Sequence, residues 1–457
     1  MASTIKVNNI QNQCGANIAN KCGSTITLGA SGDTITLACG ASQTGFGRTG
    51  TVDWDTTAKT ASFTAVSGTG YFVNTTSGAV TVTLPAGSAG DIVGISDYAS
   101  TFQTNNVTIT PNGTDKINGT NSNANLSTQG LAVSLVYVDA TRGWKSVTGS
   151  DNDTTGTSFI TATGGTITTC GNCKIHTFTG PGTFSVAQIS SCSANNRVSY
   201  VVVAGGGAGG DAGARGAGGG GAGGFREDKS PVTPYTASPL NGAGPIVVTA
   251  TSFPITVGAG GAPSATPNVG GSGGNSIFST ITSAGGGGGG GEFPSPAEAD
   301  GVAGGSGGGG GSAGAVGTGA SGNTPPVSPP QGNGGGDGNS SPPGSDCNSA
   351  GGGGGGATVA GTGGASAVGG NGGNGATTSI NASPTTFAGG GGGSVGGSPT
   401  GTVGSGGTGG GGCGGSFPGP VAGAGTTNTG GGGGGSSDNA GGGAGGSGIV
   451  IIRYKFQ

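Results

Sequence analysis

The chain has 457 residues, of which 118 are Gly and only 7% are charged, with a formal net charge of −4. So low a charge density argues against disorder driven by charge repulsion. Residues 205–448 hold only three bases, Arg215, Arg226 and Lys229, which excludes the basic footprint of a nucleic-acid binder.

Residues 1–50 carry Thr-Ile-Thr-Leu twice, at 25–28 and 34–37, with Gly between the copies. The pattern predicts short strands that need neighbours to stack on, as in a repetitive β shaft or an attachment region. The opening Met-Ala-Ser-Thr-Ile-Lys lacks the apolar segment of a secretory signal, so synthesis in a cytoplasm is expected. No apolar run approaches the length of about 18 residues that a membrane span needs, so no membrane insertion is expected.

Residues 51–148 predict a β domain. Its strands are expected near 60–66, 70–74, 79–84, 91–97, 107–110, 131–139 and 143–147, separated by Gly-bearing turns. Phe63, Tyr71, Phe72, Ile92, Val107, Leu135, Tyr137 and Trp144 are its expected core. Residues 149–158 read as a linker. Residues 159–204 are again β and end in Arg197-Val-Ser-Tyr-Val-Val-Val203, which runs directly into Gly205. The last strand is expected at 449–454. It closes the glycine block, and pairing it with 197–203 would bring the two ends of the block together.

The block itself, within 205–457, holds glycine runs at 285–291, 307–311, 351–356 and 430–435. Glycine has no side chain to bury, so the block is either a flexible linker or held by backbone hydrogen bonds, and the bracketing strands favour order. Polyproline-II geometry has about three residues per turn and no internal hydrogen bonds, and chains without Cβ atoms can approach until they bond to one another. The fold class expected is therefore all-β, with a polyglycine-II helix bundle and no α-helical domain. Inserts at 225–235, 292–300, 323–330, 340–348, 380–387 and 416–420 carry the block's chemical variety. Binding residues usually sit on loops held by a rigid scaffold. Phe225, Arg226, Glu227, Asp228, Lys229, Tyr235, Phe293, Phe387 and Phe417 are the candidates.

Few residues suit catalysis. His176 is the only His, so a His-Glu-x-x-His metal site is excluded, and its alternating surroundings read as an ordinary strand. Cys170, Cys173 and Cys192 suit a local disulfide or free thiols, with a zinc site completed by His176 as a further option. Asp53 and Asp55 would share a face if their stretch were a strand, and so could form a glycan-cleaving pair, but they read first as an exposed turn pair. Gly-x-Gly-x-x-Gly recurs by chance in such a block and carries no nucleotide signal. No catalysis, cofactor or metal is expected.

Six segments carry a resemblance. The opening Ser-Thr-Ile-Lys-Val-Asn-Asn-Ile with Ala-Ser-Gly-Asp-Thr-Ile-Thr-Leu resembles the start of phage tail-fibre proteins, and 131–144 resembles a β domain found in them. His176-Thr-Phe-Thr-Gly-Pro-Gly-Thr-Phe184, Tyr200-Val-Val-Val-Ala-Gly-Gly-Gly and the closing Gly-Ser-Gly-Ile-Val-Ile-Ile-Arg-Tyr454 are similar to glycine-rich adhesin domains at fibre tips. The resemblance implies a homotrimer in the virion, joined through its N-terminus to the phage tail, baseplate or an adaptor. It also implies binding to a bacterial outer-membrane protein or glycan through tip loops. Cys14, Cys22 and Cys39 depart from the fibre pattern and, near a three-fold axis, would be placed to form disulfides between subunits. A tailspike depolymerase and a non-phage structural or ice-binding polyglycine protein are the alternatives.

Overall fold

The computed structural model describes residues 9–11, 17–22, 25–28, 52–147, 159–190, 192–264, 268–292, 296–312, 316–340, 348–397, 400–437 and 441–456. The chain is essentially all-β, and no α-helical domain is present among these residues. One four-residue helical turn occurs at Pro296–Ala299.

Near the N-terminus, β1 (Asn9–Gln11), β2 (Asn17–Cys22) and β3 (Thr25–Leu28) form an antiparallel sheet. The first Thr-Ile-Thr-Leu copy is β3. The second copy, together with Cys14 and Cys39, lies outside the described residues.

Residues 52–147 form two packed sheets. The chain alternates between them: β4 (Asp53–Lys59), β6 (Thr69–Val73) and β8 (Ile92–Asp97) are parallel neighbours in one. In the other, β5 (Phe63–Thr64), β7 (Val80–Thr83) and β9 (Val107–Thr110) are parallel neighbours. Three successive arches thus stack in register. The antiparallel strands β10 (Ala124–Leu126), β11 (Ala132–Tyr137) and β12 (Trp144–Ser146) finish the two sheets. The inward rows, among them Val73, Val82, Val93, Ile95, Val107, Ile109, Leu135 and Trp144, make one core. Phe72 is a correction to the expected core. Its neighbours Tyr71 and Val73 are buried, and it points to the outer face, where its ring lies 5.0 Å from that of Trp54. The strand β4 was not expected from its polar sequence; it forms because Trp54 covers Gly70, where an added Cβ would lie 2.7 Å from the indole.

The second unit draws strands from both sides of residue 205. β13 (Thr161–Thr163), β14 (Thr166–Cys170), β15 (Cys173–Phe178), β16 (Gly182–Gln188) and β17 (Arg197–Val203) precede the block. β18 (Phe225–Asp228), β19 (Ile246–Val247), β20 (Ser252–Thr256), β21 (Ser276–Phe278), β22 (Ile281–Ser283), β23 (Ala376–Thr378) and β24 (Thr385–Phe387) lie inside it. β25 (Ile449–Lys455) ends it. A boundary at 204/205 therefore cuts through one fold. One sheet runs β14-β15-β25-β17-β18, with β19 on the start of β17, and the other runs β13-β16-β20-β21-β22. β17 and β25 pair antiparallel with Val203 opposite Ile449, so the ends of the block do meet.

That first sheet is buried on both faces. Val198, Tyr200 and Val202 face the second sheet with Phe184, Phe278, Ile452 and Tyr454. Val201 and Val203 face the other way, onto Phe225, Ile380, Phe387 and the alanines at the base of the bundle. A strand covered on both sides reads as a continuous apolar run, as Tyr-Val-Val-Val and Ile-Val-Ile-Ile do. Each fully buried Val or Ile contributes about 1.5–3 kcal/mol.

From this base the glycine block rises as a polyglycine-II bundle. Residues 204–212 show the three-residue period directly. The N–H groups of Ala204, Gly207 and Gly210 donate to Gly224, Gly221 and Gly218; those of Gly205, Ala208 and Asp211 donate to Gly274, Gly271 and Asn268. Gly206 and Gly209 turn to a third neighbour and donate to Gly446 and Gly443.

The next helix, 216–224, is the axis. Its N–H groups donate to 284–290, 350–356 and 430–436, and its carbonyls accept from 204–212, 304–312 and 388–394. It is thus bonded to six neighbours, three through donors and three through acceptors. There is no room for side chains along most of it. A Cβ on Gly218 would lie 2.0 Å from the Gly309 oxygen, and one on Gly220 would lie 2.2 Å from the Gly207 oxygen. Gly220→Ala is expected to destabilise the protein by about 3 kcal/mol or more, read from the unfolding midpoint. Gly363→Ala, on an outer helix where the nearest atom would be 3.4 Å away, should stay within about 0.5 kcal/mol of the parent. Equal effects at the two positions would contradict this packing.

Candidate functional site

The direction of each polyglycine helix decides where each insert emerges. Residues 204–212 leave β17 and run away from the sheets, and 216–224 return to β18. The helices 284–291 and 304–312 run outward again, because Ala284 and Ser306 bond beside the base and Gly290 and Ser312 bond beside the far turn. Inserts 225–235, 323–330 and 380–387 therefore lie at the base, whereas Glu292, residues 296–300, Ser340, Asn348 and residues 416–420 lie at the far end.

At the far end the runs stop in serine. Gly216 donates its N–H to Ser312 Oγ (3.0 Å) and Ser349 Oγ (3.2 Å), and Ala217 donates to Ser394 Oγ (2.7 Å). The Ser437 hydroxyl donates to the Val395 carbonyl at 2.9 Å. A helix end has no further turn to bond with, and a hydroxyl can supply either a donor or an acceptor there. Beyond these caps lie the Arg215–Glu292 ion pair (3.4 Å) and exposed apolar side chains: Val316, Val368, Phe417 and Val421. Phe417 is 57% exposed and Val421 70%.

The base inserts do something else. Phe225, Arg226, Glu227 and Asp228 were expected on a solvent-facing loop, but they form the buried strand β18, with Phe225 1% and Glu227 0% exposed. The cause is pairing: the segment lies antiparallel beside β17, Phe225 packs in the core under the bundle, and the Glu227 and Asp228 carboxylates are met by the Thr378 hydroxyl and the Arg197 guanidinium. Glu227 accepts the Ser238 N–H (2.8 Å) and the Thr378 hydroxyl (2.6 Å), tying two inserts to the sheet. Asp228 pairs with Arg197 at 2.7 Å. Tyr235 is half-buried between the Arg453 guanidinium and Lys229 Nζ, 5.5 and 5.3 Å from its ring centre. Phe387 is 3% exposed, within the core under the bundle. Of the candidate residues, Phe417 is the one the structure leaves fully at the surface of the far end. Phe293 lies outside the described residues. Sequence reasoning missed the serine caps, whose signal is a Ser within two residues of either end of a glycine run.

The zinc option is overturned. Along β15 Cys173 and Ile175 face the bundle side, while His176 faces the second sheet, so the thiols and the imidazole lie on opposite faces. Cys170, Cys173 and Cys192 are free thiols, and no group of three His, Cys, Asp or Glu side chains gathers among the described residues. Cys22 belongs to β2. Asp53 and Asp55 do share a face of β4, but Asp55 pairs with Lys59 at 2.8 Å. That hydrogen bond, helped by the Thr57 N–H, holds its carboxyl below the usual range, the wrong direction for a general acid.

His176 is locked instead. Its Nδ1 donates to the Gly164 carbonyl (2.7 Å), and its Nε2 accepts from the Tyr454 hydroxyl (3.1 Å). Burial lowers its pKa below 6.5; the Gly164 bond opposes that shift and Lys174 adds to it.

The sequence profile of the glycine-rich domain family matches residues 177–455. The chain belongs to this family. The match begins within β15 and ends with β25, so the glycine-rich domain takes in the base sheet as well as the bundle. Among curated proteins, none matches the chain.

Two outcomes are expected for the glycine-rich domain. Ser394→Ala leaves the buried Ala217 N–H without its acceptor and should cost about 1–3 kcal/mol in denaturant unfolding. Because the unfolded chain takes up a proton at its sole His near pH 6.5 and the folded chain does so only lower, stability is full above that pH. It declines as pH falls through it, by no more than about 1.4 kcal/mol per unit. His176→Gln should flatten that slope between pH 7 and 5.5; an unchanged slope would place the titrating group elsewhere.

Proposed function

We propose that the chain is the receptor-binding protein of a bacteriophage tail fibre, not an enzyme. It acts as a homotrimer in the virion, joined to the tail or baseplate through its N-terminal region. The far-end inserts of the polyglycine bundle bind a bacterial outer-membrane protein or surface glycan.

The observation that carries this reading is the sorting of inserts by end. At the base, Phe225, Glu227, Ile380 and Phe387 are buried in holding the fold together, whereas at the far end Phe417 and Val421 contact water and sit on helices fixed by backbone bonds. A rigid scaffold lowers the ordering cost of binding by its loops. The fibre resemblance of the N-terminal segments and membership of the glycine-rich domain family agree with it. Several fibres per particle would raise weak single contacts to firm attachment.

Labelled protein at micromolar concentration should bind cells of a susceptible host and block adsorption of the phage. Phe417→Ala combined with Val421→Ser should reduce cell binding at least tenfold with no change in melting temperature. Undiminished binding by that variant, and by one with residues 416–421 and 292–299 replaced by short Gly-Ser turns, would sink the assignment to the far end.

A further inference from the structure

A second site lies at the base, away from the far-end loops. Between the edges of β18 and β22 and the Pro-bearing insert at 323–331 is a half-open pocket of about 240 Å³. Arg226, Asn275, Thr280, Thr282 and Gln331 give it polar walls, and Ile281, Pro325 and Val327 give it an apolar one.

Arg226 is the unusual member. It is 6% exposed, and its Nη2 donates to the Ala243 carbonyl at 3.1 Å. Among the described residues, its buried Nε and Nη1 have no acceptor, and its guanidinium joins no ion pair. Of the two acids on its own strand, Asp228 is committed to Arg197 and Glu227 to the Ser238 N–H and the Thr378 hydroxyl. A buried charge without a partner is costly unless something compensates it. Gln331 carries no charge to do so, and its amide is held by the Ala284 N–H at Oε1 (2.8 Å) and the Pro325 carbonyl at Nε2 (2.9 Å).

We propose that this pocket binds a small monocarboxylate, with Arg226 as the charge that selects it and a single acidic sugar ring as the best-fitting class. One cation without a second beside it matches one negative charge, and a dianion would leave an excess charge in a poorly solvated site. The volume is below the range of about 300–1,000 Å³ typical of drug-sized ligands, which suits one ring. An apolar wall facing hydroxyl and amide groups suits a sugar, whose ring has an apolar face and a polar edge. The site does not depend on the attachment reading, and either can fail alone.

Titration of the full chain with D-glucuronate, followed by calorimetry and ligand-observed NMR, tests it. Glucuronate should bind saturably, D-glucose should not, and inorganic phosphate should bind at least tenfold more weakly. Arg226→Gln should weaken glucuronate binding at least about 30-fold. Should that variant fail to fold, Thr280→Trp, on an exposed turn at the rim, should abolish binding without changing the melting temperature. Equal binding of glucose or phosphate, no binding of glucuronate, or glucuronate binding undiminished in Thr280→Trp would each overturn the proposal.

Discussion

The structure depends on one contact: a backbone N–H of one polyglycine helix against the carbonyl of its neighbour, at a separation that excludes any Cβ. Along 216–224 this contact is made toward six helices, and an added methyl at Gly218 or Gly220 would overlap a carbonyl oxygen. A backbone hydrogen bond contributes a net of about 0.5–1.5 kcal/mol, while ordering a residue's backbone costs about 1–2 kcal/mol, with Gly at the costly end. Hydrogen bonds alone do not hold such a bundle. Close approach adds dispersion between backbones, and the sheets at the base supply conventional hydrophobic burial.

The base explains why the bundle has one register. With β17 and β25 paired, the first and last helices start from fixed points, and every helix between them is placed by hydrogen bonds of period three. The inserts at the base reinforce this. Glu227 holds β23 and the 229–241 segment, and Arg453 donates to the Pro234 and Ile380 carbonyls. These polar groups are buried and bonded, so a shift of the inserts would leave them unpaired at a cost of about 1–3 kcal/mol for each group.

Much of this was legible in the sequence. The bracketing strands were readable because a sheet buried on both faces gives uninterrupted β-branched runs, and the bundle was readable because its inner helices tolerate almost nothing but Gly. The direction of the inserts was not. To sort them by end, every helix must be counted, and the outer ones do not look like glycine runs: 359–364 is Val-Ala-Gly-Thr-Gly-Gly. An outer helix needs Gly only where it faces the bundle, so its other positions carry Val, Ala or Thr. Without that count, Phe225–Asp228 has no mark in the sequence that separates it from the other inserts. The arches of 52–147 were hidden for a different reason. Their parallel pairing joins strands from successive turns of the chain, so no hairpin signal marks it.

The same asymmetry separates what can vary from what cannot. Buried residues at the base touch the sheet, another insert or a helix start, so replacing Phe387 or Glu227 alters the core. A residue beyond the serine caps touches little of the bundle, because Ser312, Ser349 and Ser394 already satisfy the turn at 216–217. The caps therefore leave exposed far-end side chains such as Phe417 and Val421 little part in holding the helices that carry them. Their chemistry can change without cost to the scaffold, which is the property a recognition surface needs and the one the base inserts lack.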